Sequence, residues 1–323
     1  MSGTEVVRAR PAGQLADVQR IGARLADYLA ASVAPATVKA YGADWRHFAA
    51  WCEAHEAAAL PAAPEVVALY FADLAETHAP ATITRRASAI AGAHKAAGHE
   101  SPTTEAVVRK ALAGIRREKG TAPDAKAPVT VADLRAMVCE LPAGAKGTRD
   151  RALLLVGFAG AFRRSELVAI DREHVEFVGE GVVITLPRSK TDQEAQGRKV
   201  AIPFGAYPDT CPVLALGAWI EAAHVESGPV FRSVNRHGQL GPGRLTDRAV
   251  ALVVKRYTAA IGRDATAYSG HSLRAGFATA AARGGAAERD IMRQTGHRST
   301  AMVRRYIRDG NLFRANAAAA LGL

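Results

Sequence analysis

The sequence predicts a mainly α protein of two domains, an N-terminal helical bundle over residues 1–126 and a mixed, mostly helical domain with a small β-sheet over residues 127–323. Three observations carry this. Apolar residues recur at three- and four-residue spacing, the period of a helix that packs on one face. Predicted helices start beside Pro35, Pro64, Pro80 and Pro102, where a first helical turn tolerates the missing N–H. Two short β-branched segments, Val182–Leu186 and Arg198–Ile202, break the helical pattern between Gly-rich stretches.

In the N-terminal half, helices are expected over Leu15–Leu29, Ala36–His55, Glu65–Glu76, Thr82–Ala97 and Thr104–Glu118. In the second of these, Val38, Tyr41, Trp45, Phe48, Ala49 and Cys52 form the apolar stripe. Small residues and two prolines between Gly120 and Pro128 then interrupt the periodicity and read as a linker, which puts the domain boundary near residue 126. Helices follow at 130–140 and 148–160. The two strands come next, with Lys190 in the turn between them, and helices resume at 212–226, 246–261, 271–283, 286–295, 299–308 and 311–320.

A chain of 323 residues is long enough for two cores, and 49% hydrophobic with 23% charged residues describes a globular protein. The net charge of +11 suggests an anionic partner. That charge is uneven: residues 1–126 hold 15 Lys+Arg against 13 Asp+Glu, and residues 127–323 hold 27 against 18, so the second part carries +9. Cys52, Cys139 and Cys211 are widely spaced and form no Cys-x-x-Cys pair, which argues against a disulfide framework or a zinc site and for a reducing cytoplasm. No metal or other cofactor is expected. Met1–Gly13 lacks an apolar signal core, and the run Ala152–Phe162 falls short of the about 20 residues that span a bilayer, so no membrane association is expected.

Basic and hydroxyl residues of the second half fall in short separate segments: Ala161-Phe162-Arg163-Arg164-Ser165-Glu166-Leu167, Arg188-Ser189-Lys190-Thr191, Gly270-His271-Ser272-Leu273-Arg274, and Thr295-Gly296-His297 with Tyr306 nine residues on. Each alone is common. A His-x-x-Arg pair starts many ordinary helices, and a tyrosine flanked by Val303 and Ile307 reads equally as a packing aromatic. Their order and separations, however, resemble those of the tyrosine recombinases, the phage integrase family, and most of all the Cre-like members. The resemblance is sharp over about residues 127–310 and weaker before them.

The resemblance implies an N-terminal SAM-like core-binding domain and a C-terminal catalytic domain that act on double-stranded DNA as a site-specific recombinase. It makes Arg163 and Arg274 the phosphate clamp, a task that suits guanidinium because its planar fork of donors matches phosphate oxygens and stays charged. By the same resemblance His271 takes the nucleophile's proton or orients a phosphate oxygen, a role open to a group with a pKa near 6.5. His297, where some relatives carry tryptophan, donates a hydrogen bond to the phosphate. Tyr306 is the nucleophile; a free phenol has a pKa near 10, so it needs a base and nearby cations. Lys190 protonates the departing 5′-oxygen, with Arg198 and Lys199 as nearby competitors. Glu166 supports its neighbours, and Gly270 is expected to let a ligand approach the backbone.

In the first domain the basic runs offer Arg85, Arg86, Arg116, Arg117 and Lys119 as contacts to the DNA backbone. The apolar segment 311–323 resembles the part that links Cre-like protomers into a homotetramer on two DNA sites. Two other readings stay open at this point. A type IB topoisomerase shares the Arg, Lys, His and Tyr chemistry but acts alone on one site; the helical first domain and the tail favour recombination. A catalytically silent DNA-binding protein is disfavoured by the complete residue set.

Overall fold

The computed structural model describes residues 33–121, 126–187 and 197–310, together with Ile21, Arg24, Tyr28 and Leu321. Lys190, most of the expected helix Leu15–Leu29 and nearly all of segment 311–323 lie outside the described residues. The chain divides into two compact units, Met1–Asp124 and Ala125–Leu323.

In the first unit, α1 (Pro35–Ala54), α2 (Pro64–Thr77) and α3 (Pro80–Ala96) each start on their proline, and a 3₁₀ turn at Pro102–Thr104 leads into α4 (Ala106–Lys119). Phe48 and Cys52 of α1 meet Val67, Tyr70, Phe71 and Leu74 of α2, Ile83 and Ile90 of α3 and Val108 of α4 in one core. Burial of such side chains is worth roughly 1.5–3 kcal/mol each. Val38, on the expected stripe, is exposed at the first turn of α1.

The second unit opens with α5 (Val131–Cys139), whose Thr130 and Asp133 form a reciprocal cap. Next come α6 (Ala145–Ala159) and the short α7 (Arg164–Val168). An antiparallel sheet of order β1-β2-β3 is made by Val175–Val178, Gly181–Leu186 and Arg198–Pro203. α8 (Pro212–Ala222), the hairpin of β4 (Arg232–Val234) and β5 (Leu240–Arg244), α9 (Asp247–Ala260), α10 (Ser272–Arg283), α11 (Glu288–Thr295) and α12 (Thr300–Gly310) complete it. The β2–β3 register ends at Leu186↔Arg198, so the connection that carries Lys190 in the sequence is the one between these strands. Val182, Ile184 and Leu186 alternate inward opposite Val200 and Ile202.

Helix α6 is the spine of this unit. Leu153, Leu154, Leu155 and Val156 are all buried, so successive faces of the helix are covered. Helix α10 is clasped from the other side: Ala127 N–H donates to Ala267 O at 2.8 Å and Val129 N–H to Ser272 O at 3.0 Å. The backbone comes so close that a Cβ on Gly276 would lie 2.1 Å from Val129 O. Between α6 and α10, a Cβ on Gly157 would stand 3.0 Å from both Leu167 and Leu273. Close backbone packing thus fixes where α10 presents Arg274.

Candidate active site

The turn between α6 and α7 starts the site. Ala161 adopts φ 50°, a left-handed conformation uncommon for a residue with a Cβ. Its carbonyl accepts a hydrogen bond from Arg274 Nη1 at 2.8 Å. Arg163 then takes extended backbone as the N-cap of α7. Glu166, three residues on and buried, accepts from the Arg163 backbone N–H at 2.9 Å and from its guanidinium. Arg198, the first residue of β3, reaches the same carboxylate at 3.4 Å.

Arg274 is 1% exposed, and its Nε and Nη2 have no hydrogen-bond partner among the described residues. Buried guanidinium donors left unpaired are costly, and an arriving anion satisfies them. Burial foremost, then the charge of Arg163, lowers the Arg274 pKa to about 10, so the group stays charged at neutral pH. Arg163, Arg164, His271, Arg274, His297 and Arg298 line a cleft of about 580 Å³.

His271 stands at the entry to α10, and its Nε2 lies 2.9 Å from the Tyr306 hydroxyl of α12. Crowding by protein atoms, then the charges of Arg274, Arg163 and Arg164, holds His271 below its usual 6.5. A neutral ring with its proton on Nδ1 accepts from the phenol at Nε2. Tyr306 is half-buried and packs with Ile307 on Ala278, Ala282, Ile291 and Val303, which tie α12 to α10 and α11.

His297 follows Gly296, whose φ of 65° ends α11 in the left-handed conformation that suits glycine. The His297 ring is buried, with Nδ1 2.7 Å from Thr295 Oγ1. The Thr295 hydroxyl donates to Ile291 O at 2.7 Å, so its oxygen accepts from Nδ1–H and leaves His297 Nε2 as the second ring nitrogen. Burial first, then Arg274, Arg163, His271 and Arg198, depresses the His297 pKa to about 3.

Arg163, His271, Arg274 and His297 therefore meet at one cleft, with Tyr306 bonded to His271 and Glu166 behind Arg163. Two expectations need correction. A Cβ on Gly270 would lie 2.0 Å from Arg164 Cδ, so this glycine makes room for the Arg164 side chain. Arg86 is 8% exposed and directed inward, where it donates to Tyr70 Oη and meets His47 Nδ1, both at 2.8 Å; it is not a free backbone contact. Arg85 is half exposed and grips Asp44 with two hydrogen bonds, whereas Arg116, Arg117 and Lys119 are exposed on α4. Arg164, which the register of Ser165-Glu166-Leu167 sets aside in favour of Arg163, and Arg298 also line the cleft. Doubled arginines, Arg163-Arg164, were the only available signal for the first.

The pattern of the phage integrase family matches residues 127–311. An integrase/recombinase xerD homolog of Selenomonas ruminantium is 42% identical over 304 residues, covering 93% of this chain and 89% of its own. The chain belongs to the phage integrase family. The recombinase cre of Escherichia phage P1 is 26% identical to this tyrosine recombinase over 284 residues, 82% of this chain and 81% of its own. In fold it resembles XerH site-specific recombinase bound to palindromic difH substrate, with a TM-score of 0.61 at 15% identity over 81% of this chain and 73% of the other. The Tn1549 transposon integrase in complex with transposon right end DNA gives 0.56 at 16% identity, over 80% and 84%. Among the described residues of this recombinase, no helix is long and apolar enough to cross a membrane.

The depressed pKa of His297 has a direct consequence. An unfolded chain takes up this proton as pH falls through about 6.5 while the folded protein refuses it until about 3, so the ring withdraws stability across that window, by ~2 kcal/mol between pH 6.5 and 5. Imidazole nitrogen NMR of the DNA-free protein is expected to show a neutral His297 throughout that range; a ring that titrates near 6.5 would contradict the buried placement.

Proposed function

We propose that this site-specific recombinase cleaves double-stranded DNA by attack of Tyr306 on a backbone phosphate. The observation that carries the reading is the 2.9 Å contact between the Tyr306 hydroxyl and His271 Nε2 beside a buried Arg274 with two donors unpartnered among the described residues. Neutral His271 takes the phenol proton as the oxygen attacks phosphorus. The bond from phosphorus to the 5′-oxygen breaks, leaving a 3′-phosphotyrosyl ester and a 5′-hydroxyl. Arg163 and Arg274 meet the charge that grows on the non-bridging oxygens. The approaching phosphate raises the His297 pKa, since an anion favours the protonated ring, and Nε2–H then donates to it. Lys190 protonates the leaving 5′-oxygen in this reading.

The ester conserves the energy of the broken bond, so rejoining by a 5′-hydroxyl of the partner duplex needs no nucleotide cofactor and passes through a Holliday junction. Arg116, Arg117 and Lys119 hold the DNA backbone from the first unit, with Arg85 contributing its exposed side. Four copies assemble on two sites through segment 311–323, and the protein works in the bacterial cytoplasm. The xerD-like and cre relatives support the recombinase reading at chain level.

The test uses DNA from the flanks of the gene, nicked beside candidate sites so that cleavage releases a short fragment and traps the enzyme. Wild type is expected to yield a denaturation-resistant protein–DNA adduct and Tyr306→Phe none; tight binding by both without an adduct would leave a site-occupying protein instead. Removal of residues 311–323 is expected to preserve binding to one site and to impair pairing of two sites in a gel-shift assay. Unchanged recombination by the truncated chain would overturn the tetramer assignment.

A further inference from the structure

We propose that Arg198 is a positioning residue for DNA cleavage, one that sets Arg163 through Glu166 and holds the turn of His297 through the end of α11. The inference deepens the reading above and rests on it.

Arg198 and Lys199 are neighbours on β3, yet alternation sends them apart. Lys199 is exposed, while the Arg198 side chain keeps 19% of its surface. The Arg198 guanidinium reaches two groups far apart in sequence. Nη1 donates to Gln294 O at 2.8 Å and, at 3.5 Å, to Arg293 O. These carbonyls belong to the last turn of α11, where C=O groups lack helical partners and the helix dipole favours a cation. Nη2 donates to Glu166 Oε2 at 3.4 Å, the same oxygen that accepts the Arg163 backbone N–H.

The plane of the guanidinium also lies against Gly296: a Cβ there would stand 3.0 Å from Arg198 Cζ and Nε. Glycine at 296 therefore meets two demands at once, the left-handed cap and the space for this side chain. His297 is the next residue. The Gln294 side chain reinforces the joint by donating to Ala159 O at 3.0 Å and to Ala201 O at 3.1 Å, which ties α11 to the end of α6 and to β3. Among the described residues, Arg198 is thus the one side chain bonded to both the carboxylate behind Arg163 and the helix end ahead of His297.

A planar fork suits this task and an ammonium does not. Two separate donors on one rigid group fix the distance between Glu166 and α11, whereas lysine offers one flexible point charge. Misplacing a clamp arginine by a fraction of an ångström is costly in reactions that depend on alignment.

The experiment measures single-turnover adduct formation on the nicked substrate for wild type, R198M, R198K, E166Q and the R198M/E166Q double variant, with DNA affinity and thermal unfolding of each alongside. Arg198→Met is expected to slow cleavage by about 30-fold, somewhat less than the roughly 100-fold that a 1 Å misplacement can cost, with DNA affinity within about twofold of wild type. Arg198→Lys is expected to recover only a minor part of that rate. In the double variant the losses are expected to be clearly less than multiplicative, because both changes break one link. Cleavage by R198M within about threefold of wild type, or losses that multiply in the double variant, overturns the proposal.

Amide exchange at Gly296, whose N–H bonds Met292 O at 2.7 Å, is read without DNA. It is expected to quicken about tenfold in R198M, as local opening of the cap becomes easier, and a wild-type rate there overturns the proposal too. Should R198M fail to fold, R198K carries both measurements. Absence of an adduct even with wild type would count against the cleavage reading itself, and the exchange rate at Gly296 would still decide whether Arg198 holds α11.

Discussion

Crowding of positive charge around one buried carboxylate is the constraint on which the site depends. Arg163 and Arg198 both bond Glu166, and Arg274 stands close enough for its pKa to feel all three. One carboxylate does not neutralise three guanidinium groups. The cleft is therefore left with a surplus of positive charge, and the Nε and Nη2 of Arg274, unpartnered among the described residues, are its clearest sign. The same surplus acts on the histidines. Both His271 and His297 sit below their ordinary pKa, so in the DNA-free protein they enter the reaction neutral. For His271 this is the state a proton acceptor needs. For His297 it means that the donor role proposed for it requires a bound anion.

Holding like charges together requires backbone that cannot relax away. The left-handed Ala161 turns its carbonyl onto Arg274, and the stretch at 127–129 bonds the loop and helix start on either side of His271. Gly276 lets α10 press against Val129, and Gly157 lets α6 press against Leu167 and Leu273 of α10, with no Cβ between. Tyr306 reaches His271 from a different support, the small cluster of Ala278, Ala282, Ile291 and Val303. Tyr306 thus rests on a small cluster separate from the main core, shared with the helix that carries Arg274.

Much of the helical framework was legible because each helix carries its own signals. Pro35, Pro64 and Pro80 mark starts to within two residues, and β2 and β3 announce themselves by alternation. The short α7, β1, β4 and β5 escaped, since three to five residues hold too little pattern to set a period. The same locality governs the site. His271 with Arg274, and Arg163 with Glu166, are three residues apart and readable as motifs. Arg198 was not, because its partners lie 32 and 96 residues away. Arg86 misled for the opposite reason: a basic pair looks like a solvated face, and nothing local says that His47 and Tyr70 draw it inward. Gly270 was read as space for a ligand when its neighbour in three dimensions is Arg164.

In the proposed reaction a neutral His271 removes the Tyr306 proton inside the cationic cleft. The most direct measurement is the pH dependence of single-turnover cleavage, wild type against His271→Ala. With His271 as the base, the wild-type rate is expected to level off at neutral pH and above and to fall in acid as the ring takes up a proton, with a slow variant whose rate climbs with pH. A wild-type rate that climbs steadily past pH 9, parallel to the variant, would show that solvent deprotonates Tyr306 and that His271 is not the base.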